Sequence, residues 1–417
     1  MKTVTRRSFL TLTGVTAAGA LAVGATRVDW DSLMSAAAEN PLDPNAGVLV
    51  VVTLYGGNDG LNTVIPAGDK AYQDARPELA YQPEEVLDLG EGLGLNPGMK
   101  GLKGLWDERK LAVVRGVGYP KPDHSHFRSM AIWQTASPDT SVPTGWLGRW
   151  LDTSGADPLR AVSVEPVLPP LLAGETTAAA SMPVGGLVLP KGELGSAFAA
   201  LGAPVPGEDP WRARAARSIG DLHNAVRVLG GAAHDASEKD DEDEQRNKGA
   251  SAGGGSGLAA QLDLVAGLVE AGVPTRAYSV SLGGFDTHSD ERGTQQRLLT
   301  ELDAALTPFV RRLQGSDRGK QVTVLVYSEF GRRVRANASE GTDHGTAGPM
   351  FLLGEHVQGG FHGEQPSLTD LDDDDLKVTT DFRDVYATVL GDVLGADPGR
   401  VLSGHTTRLD DLIGTAG

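Results

Sequence analysis

Four short apolar runs stand out along the chain, and each ends in a cluster of glycine and polar residues. The runs are residues 48–54, 111–114, 277–282 and 322–327, most of them rich in valine. Near-continuous apolar runs of this length, without the alternation of a half-exposed strand, are typical of strands buried on both faces. The pattern therefore predicts four central strands of a largely parallel sheet.

Helical periodicity separates the last two runs. Between 295 and 313, apolar residues recur every three or four positions, at Leu298, Leu299, Leu302, Leu306, Phe309 and Val310. A strand, a helix and a second strand make a βαβ unit, and repetition of this unit builds a parallel sheet. We predict an α/β fold with a doubly wound, mostly parallel sheet and helices on both faces. Further helices are predicted from 126 to about 135 and over 385–390, the latter capped by Asp381.

Two acidic segments carry few or no apolar residues. Residues 230–257 combine a run of Asp and Glu with a Gly/Ser tract, so we predict a solvated, disordered insertion. A calcium site is the sharper alternative, but the run lacks the spaced glycine and final glutamate of a calcium loop. The run 370–375 has the same acidic character, and the same solvated, disordered state is predicted for it.

The first residues have the pattern of an export signal. The sequence Thr-Arg-Arg-Ser-Phe-Leu at 5–10 is a twin-arginine motif, followed by an uncharged, weakly apolar stretch from 10 to 25. This stretch is below the roughly 18–20 strongly apolar residues of a membrane span. We therefore predict a protein exported by the twin-arginine pathway, secreted, periplasmic or associated with the cell envelope, with no transmembrane anchor.

The domain organisation follows from this signal. Residues 1–38 are predicted to be signal peptide and linker, and residues 46–417 a single α/β domain. Small residues at Ala20, Ala22 and 36–38 leave the cleavage point open.

Charge and composition narrow the classes of function. The chain has 37 Lys and Arg against 55 Asp and Glu, a net charge of −18, which argues against a nucleic-acid binder or a basic membrane-surface helix. It has no cysteine, so disulfides, thiolate zinc sites, iron–sulfur clusters and cysteine nucleophiles are excluded. A metal in this protein must bind nitrogen and oxygen ligands.

Acidic, imidazole or hydroxyl side chains follow all four predicted strands. Since parallel α/β sheets bind ligands at the carboxyl ends of their strands, we expect these side chains to meet. Carboxylates and imidazoles gathered there need a cation or a bound anion for balance, and histidine favours zinc or manganese. The candidates are Asp59, His124, Ser125, His126, Asp286, His288, Glu329, Asp343 and His344.

Three of these candidates have a position that suggests a role. Asp286 and His288 directly follow a strand, where alternation turns both side chains the same way, so both can reach one ion. Ser125 precedes a predicted helix, whose amide groups and dipole would stabilise an alkoxide and an incoming anion. It is therefore the candidate nucleophile.

Structural roles stay open for several candidates. Ser125 can be simply a helix N-cap, and Asp59 a turn residue. Glu329 can form a salt bridge with Arg332 or Arg333. His124 and His126 fit a loop or a supporting position as well as that of a ligand.

Taken in order, these motifs resemble those of the exported, uncharacterised DUF1501 family. The resemblance covers residues 48–412, and the family is grouped with the alkaline-phosphatase and sulfatase superfamily. It implies an alkaline-phosphatase-like α/β core with one or two divalent metal ions that bind a phosphate or sulfate ester. The matching motifs are Gly-Gly-Asn-Asp at 56–59, Ser-His-Phe at 125–127, Gly-Gly-Phe-Asp-Thr-His at 283–288, Ser-Glu-Phe-Gly-Arg at 328–332 and Asp-His-Gly at 343–345.

Carried over by position, the resemblance implies an exported metal-dependent hydrolase of phosphate or sulfate esters. Ser125 would be the nucleophile, and zinc or manganese would activate it and polarise the ester. The implied metal ligands are Asp59, Asp286, His288, Glu329 and His344, and the residues that would support them are Asn58, His124, His126, Arg332 and Asp343.

The sequence departs from the active enzymes of that superfamily at one point. Those enzymes commonly pair an aspartate with a histidine after the later strand, whereas Phe330 follows Glu329 here. A non-catalytic exported protein, which keeps the fold for ligand binding or for surface assembly with an exported partner, is therefore the alternative. A dinucleotide enzyme is disfavoured, since the glycine motif at 56–59 lacks the spaced third glycine.

Overall fold

The computed structural model describes residues 26–165, 167–184 and 257–414. The twin-arginine motif and almost all of the predicted insertion at 230–257 lie outside the described residues. The strands are β1 (Thr26–Arg27), β2 (Val48–Leu54), β3 (Val64–Ile65), β4 (Leu87–Gly90), β5 (Leu93–Leu95), β6 (Leu111–Gly118), β7 (Ala161–Ser163), β8 (Ala180–Ser181), β9 (Ala277–Leu282), β10 (Val322–Ser328), β11 (Arg332–Ala336), β12 (Thr342–His344), β13 (Gly348–Gly354), β14 (Gly360–His362) and β15 (Thr380–Asp381).

Helices connect most of these strands. They are α1 (Trp30–Glu39), α2 (Lys70–Ala75), α3 (Lys100–Asp107), α4 (His126–Thr135), α5 (Trp146–Thr153), α6 (Leu258–Ala271), α7 (Glu291–Gln314), α8 (Asp317–Lys320), α9 (Phe382–Asp392) and α10 (Pro398–Val401). No helix in the described part of the chain is both long and apolar enough to span a lipid bilayer.

The described strands build one large, mostly parallel sheet. Its order is β1-β8-β7-β9-β2-β10-β13-β6-β14, with β15 beside β6. β9, β2 and β10 are parallel neighbours, while β13 runs antiparallel between β10 and β6. β6 therefore points the same way as β2, and the carboxyl ends of all four strands expected from the sequence lie at one edge of the sheet.

Side chains of β2 alternate between two hydrophobic clusters. Val48, Val50 and Val52 pack with residues of α1, α3, α6 and α7, whereas Leu49 and Val51 pack with residues of α4, α5 and α9. Both faces of the strand are buried, which explains its unbroken apolar run. Helices thus cover the sheet on both sides, and the predicted fold class is confirmed.

The helix predictions are confirmed and one loop prediction is wrong. α7 contains the periodic segment 295–313, and the Asp381 side chain caps α9 by accepting the backbone N–H of Arg383. In the acidic run 370–375, however, Asp375 is buried and contacts His124 and Arg333. The last residue of an acidic run can therefore be buried where basic side chains contact its carboxylate.

The first residues that the structure describes, from Thr26 onward, belong to the folded body. β1 pairs in parallel with β8, and the backbone N–H of Val28 donates to the carbonyl of Ser181. The side chain of Asp29 caps α1, and Leu33 of that helix is fully buried in the main core.

Candidate metal centre

Three histidine side chains meet one carboxylate at the carboxyl edge of the sheet. Asp286 and His288 follow β9, His344 ends β12, and His126 begins α4. The Nε2 atoms of His126, His288 and His344 lie 3.3, 3.0 and 3.2 Å from Asp286 Oδ1. The Nε2 atoms of His288 and His344 are 3.0 Å apart. Four potential ligand atoms from three segments of the chain are thus gathered at one point.

A buried carboxylate holds His126 from behind. Nδ1 of His126 lies 2.9 Å from Glu329 Oε1, which also accepts the backbone N–H of Gly56 at 2.9 Å. The second oxygen, Oε2, accepts the hydroxyl of Ser328 at 3.0 Å. A carboxylate at Nδ1 fixes the proton on that nitrogen and leaves the lone pair on Nε2. The Nε2 atom of His126 is buried and makes no hydrogen bond, although it lies 3.3 Å from Asp286 Oδ1.

The other two imidazoles have similar support. Nδ1 of His344 lies 2.7 Å from the backbone carbonyl oxygen of His124, which can only accept, so His344 carries its proton on Nδ1. Nδ1 of His288 lies 3.5 Å from the carboxylate of Asp343, at ion-pair distance. Each ring therefore directs Nε2 toward Asp286 while an oxygen atom stands behind Nδ1. Outer oxygens in this position are usual for metal-binding histidines.

Glycine is required where the backbone passes the cluster. Gly56 has φ +116°, and a Cβ there would lie 2.5 Å from the backbone nitrogen of Asp286. The loop after β2 can therefore approach the loop after β9 only because residue 56 has no side chain. This contact also brings the N–H of Gly56 to Glu329.

A buried arginine fixes the carboxylate of Asp286. Arg332 donates to Asp286 Oδ1 at 2.8 Å and to the backbone carbonyl oxygens of Gly57 at 2.6 Å and Phe285 at 3.0 Å. Burial alone would raise the pKa of Asp286, but the hydrogen bond and charge of Arg332 outweigh it and lower the pKa to about 2. Asp286 is therefore ionised throughout the neutral range and ready to bind a cation.

The centre is open to solvent on one side. The side chains of Asp286 and His288 are 49% and 45% exposed, whereas those of His126 and His344 are 28% and 22% exposed. A small solute can therefore reach Asp286 and His288 from solvent. His126 and His344 form the more protected wall.

The donor set fits a divalent metal ion. The ligand atoms of His126, Asp286 and His344 all lie within 4.8 Å of one another, and His288 adds a further imidazole at the same carboxylate. Three neutral imidazole nitrogens and one carboxylate oxygen suit zinc and other first-row transition metals. The buried, unpartnered Nε2 of His126 is the atom that this interpretation explains best, because a buried polar atom without a partner is costly.

Comparison with protein families identifies the family of this chain. The family described as "Protein of unknown function (DUF1501)" matches residues 208–416, just over half of the chain. The chain belongs to the DUF1501 family. Among curated proteins, none matches the sequence.

Solved structures show distant similarity to this DUF1501 chain. The lipoteichoic acid synthase LtaP from Listeria monocytogenes is 10% identical, with a TM-score of 0.41 over 94% of this chain and 80% of its own. A protein in the alkaline phosphatase superfamily from Vibrio parahaemolyticus is 10% identical, with a TM-score of 0.39 over 93% of this chain and 80% of its own. At this level of similarity, neither structure assigns an activity to the chain.

Asp59, expected as a metal ligand, lies apart from the histidines. Its carboxylate is fully buried and paired with Arg76, with Nη1 at 2.5 Å from Oδ2 and Nη2 at 3.0 Å from Oδ1. Oδ1 also accepts the N–H of Leu61, as an N-cap. No contact among the described residues joins Asp59 to His126, Asp286 or His344. Arg76 lies seventeen positions further along the chain, and no sequence motif marks it as the partner.

Glu329, also expected as a ligand, lies behind His126 instead. Both of its oxygens accept hydrogen bonds from the protein, and the residue is only 2% exposed. From the sequence we expected Glu329 to be a ligand and His126 to support it. In the structure Glu329 supports His126, and His126 directs its Nε2 into the centre. The sequence signal for His126 was its place in the Asp-His-Ser-His segment after β6.

The remaining expected residues surround the cluster. Asn58 is buried and accepts hydrogen bonds from Thr63 and Gln295, so it holds the loop after β2. His124 contributes its carbonyl to His344 and places its ring Nε2 2.7 Å from Asp375 Oδ2.

Ser125 is the N-cap of α4 and is exposed. Its backbone N–H donates to Asp123, but none of the described residues forms a hydrogen bond with its hydroxyl. The chain neighbours on either side, His124 and His126, both contact the cluster. Ser125 is therefore an exposed residue between two residues that contact the cluster.

Proposed function

We propose that this DUF1501 protein is a metal-dependent hydrolase of phosphate or sulfate esters, with one divalent ion held by His126, Asp286, His288 and His344. The observation that carries the proposal is the convergence of three imidazole Nε2 atoms on Asp286, with an oxygen behind each Nδ1. Zinc or manganese suits this donor set. A bound ion would supply Lewis-acid polarisation of the ester and would lower the pKa of a nearby hydroxyl.

Ser125 is the proposed nucleophile. Its hydroxyl would give up its proton to solvent as its oxygen forms a bond to phosphorus or sulfur, while the ester oxygen leaves with its electron pair and takes up a proton. Water would then attack the bound group, release it as phosphate or sulfate and return a proton to the serine. The first i to i−4 hydrogen bond of α4 is made by the backbone N–H of Ser129, so the N–H groups before it lie at the start of this helix, directly after Ser125. These free amides and the helix dipole would stabilise the anionic group under attack.

Arg332 and Glu329 would keep the centre assembled rather than touch the ester. Arg332 holds Asp286 ionised and in place from a fully buried position. Glu329 keeps the His126 proton on Nδ1, so Nε2 stays available. Both act through a neighbouring ligand.

The proposal includes export. The twin-arginine motif at 5–10 supports translocation of the folded protein, after which the centre would act outside the cytoplasm. A metal bound before export would be carried across with the folded chain.

Metal content and turnover test the proposal together. The protein, purified without chelator, is examined by elemental analysis and assayed with p-nitrophenyl phosphate and p-nitrophenyl sulfate. We expect about one ion per chain, and almost none in the Asp286→Ala, His288→Ala double variant. The matched control is Asp317→Ala with His362→Ala, which removes the same residue types away from the centre and should keep the ion.

The Ser125→Ala variant separates metal binding from ester turnover. This variant should keep its metal and fold and lose ester turnover by several orders of magnitude, since the nucleophile is gone. Unchanged turnover would remove Ser125 from the mechanism. Stoichiometric metal without turnover of either ester would favour the non-catalytic alternative, and a metal-free wild-type protein would rule out the hydrolase.

A further inference from the structure

Phe330 lies against two of the histidines of the centre. It follows β10 and is 4% exposed. Its ring centroid is 4.9 Å from that of His126 and 4.8 Å from that of His344, with interplanar angles of 39° and 34°. The two imidazoles are themselves 4.3 Å apart, edge to face. One aromatic ring therefore packs on both imidazoles.

The backbone of the loop after β2 also confines the phenyl ring. Gly57, with φ +71°, passes so close that a Cβ there would lie 2.1 Å from Cε2 of Phe330. The carbonyl of Gly57 is held by Arg332 Nε at 2.6 Å, so this backbone cannot easily withdraw. Phe330 is thus held by contacts with the loop after β2 and with the two histidines.

A hydrogen bond at Nδ1 restrains one edge of an imidazole but gives no support to the faces of the ring. The Nδ1 atoms of His126 and His344 are held by Glu329 and by the carbonyl of His124. The Phe330 ring contacts both imidazoles in tilted arrangements and so supports both rings at once. Its apolar surface also keeps water from the protected side of the centre, which strengthens the field at the ligands.

We propose that Phe330 is a positioning residue, which fixes the spacing and orientation of His126 and His344 and thereby sets the affinity and geometry of the metal site. The inference rests on the proposed function, because it assumes that the histidines bind an ion. It gives a role to the residue that stands where a further histidine would be expected. Phe330 would take no direct part in coordination.

Phe330→Leu tests the inference, since leucine keeps the apolar bulk and loses the flat face. We expect the metal affinity, measured by competition with a chromophoric chelator, to fall at least about 10-fold, the usual effect of losing support behind a ligand. The visible absorption of the Co²⁺-loaded variant should also differ from that of the wild type, because this spectrum depends on coordination geometry.

The matched control is Phe309→Leu on α7, which is also 4% exposed and lies in the main core away from the centre. It should lower stability by a similar amount and leave affinity and cobalt spectrum unchanged. If Phe330→Leu does not fold, Phe330→Met supplies a flexible replacement for the same test.

A folded Phe330 variant with wild-type affinity and an unchanged cobalt spectrum would overturn the inference alone. A wild-type protein that binds neither zinc, manganese nor cobalt would overturn the proposed function and the inference with it. The two failures are therefore distinguishable.

Discussion

The role of Glu329 follows from the atoms that reach its carboxylate. One oxygen accepts from His126 and Gly56, and the other accepts from Ser328, so the protein itself uses both. Asp343 stands behind His288 in a similar way, but at 3.5 Å and with a side chain that is 60% exposed. Water competes with an exposed contact of this kind, so the two acids should differ in importance.

We predict that Glu329→Gln weakens metal binding about 10- to 100-fold, whereas Asp343→Asn changes it by less than about 3-fold. Glutamine removes the charge that makes Nε2 of His126 a better metal ligand. Competition with a chromophoric chelator measures both affinities. Equal losses in the two variants would show that burial of the supporting acid is unimportant.

Glu291 carries the clearest pH dependence outside the centre. Burial, followed by the charge of Asp59, raises the pKa of Glu291 from 4.5 to about 9 in the folded protein. The folded state therefore holds a proton that the unfolded chain releases above pH 4.5. The contribution of this group to stability is fully present below pH 4.5 and declines as pH rises toward 9.

Glu291→Gln should remove that decline, because glutamine stays neutral at every pH. We expect the variant to gain at least about 1 kcal/mol relative to wild type between pH 5 and pH 8, measured by urea unfolding. Glu301→Gln, an exposed glutamate of the same helix, is the control and should show no such gain. A constant difference between Glu291→Gln and wild type at both pH values would contradict the prediction.

At the scale of secondary-structure elements, the pair of Asp59 and Arg76 joins three segments. Asp59 follows β2 and Arg76 ends α2, while Nε and Nη2 of Arg76 donate to the carbonyls of Val334 and Arg333 in β11. β11 pairs with β12, the strand that carries His344. The ion pair therefore supports the hairpin of one ligand without touching the ligand itself.

Asp59→Asn should destabilise the protein by about 3–5 kcal/mol, because it removes the carboxylate that pairs directly with the buried Arg76. The folded fraction should keep its full metal content, since no ligand is lost. Chemical unfolding and elemental analysis of the folded protein check both statements. Asp69→Asn, which keeps an exposed helix cap on α2, should cost well under 1 kcal/mol. Loss of metal from folded Asp59→Asn would return Asp59 to the ligand set.

These elements also show what the sequence can predict. The runs that became β2, β9 and β10 were recognisable because both faces of each strand are buried, so every position is apolar or small. The antiparallel β13 between β10 and β6 was not expected, since direction within a sheet is set by tertiary pairing.

The site was less predictable than the sheet. Asp286 and His288 lie two positions apart after a strand, and their side chains meet as the alternation predicts. The partners of Asp59 and Glu329 depend on contacts between distant segments, with Arg76 and His126 respectively. The sequence identifies an acidic residue at the edge of a sheet. Only the folded chain determines whether its carboxylate binds a metal ion, pairs with an arginine or accepts a hydrogen bond from a histidine.

At the scale of the whole molecule, the start of the folded body bears on export. β1 extends the sheet beside β8, α1 buries Leu33 in the main core, and the N–H of Leu42 donates to the carbonyl of Gly272. Cleavage at the small residues 36–38 would remove the strand and most of the helix. Cleavage near Ala20 or Ala22 would leave both in place.

Under the proposed export, we therefore predict that the mature protein begins before Trp30 and retains α1. The twin-arginine route carries folded proteins, so a protease would have to cut through a packed helix to reach 36–38. Intact-mass analysis of the exported protein locates the new N-terminus. A variant whose chain starts at residue 40 should be destabilised by at least about 3 kcal/mol, because it loses the fully buried Leu33 and an edge strand. A variant whose chain starts at residue 26 is the control and should be as stable as the mature protein. A mature chain that starts at residue 39, and unfolds at the same urea concentration as the variant that starts at residue 26, would contradict the assignment of α1 to the folded domain.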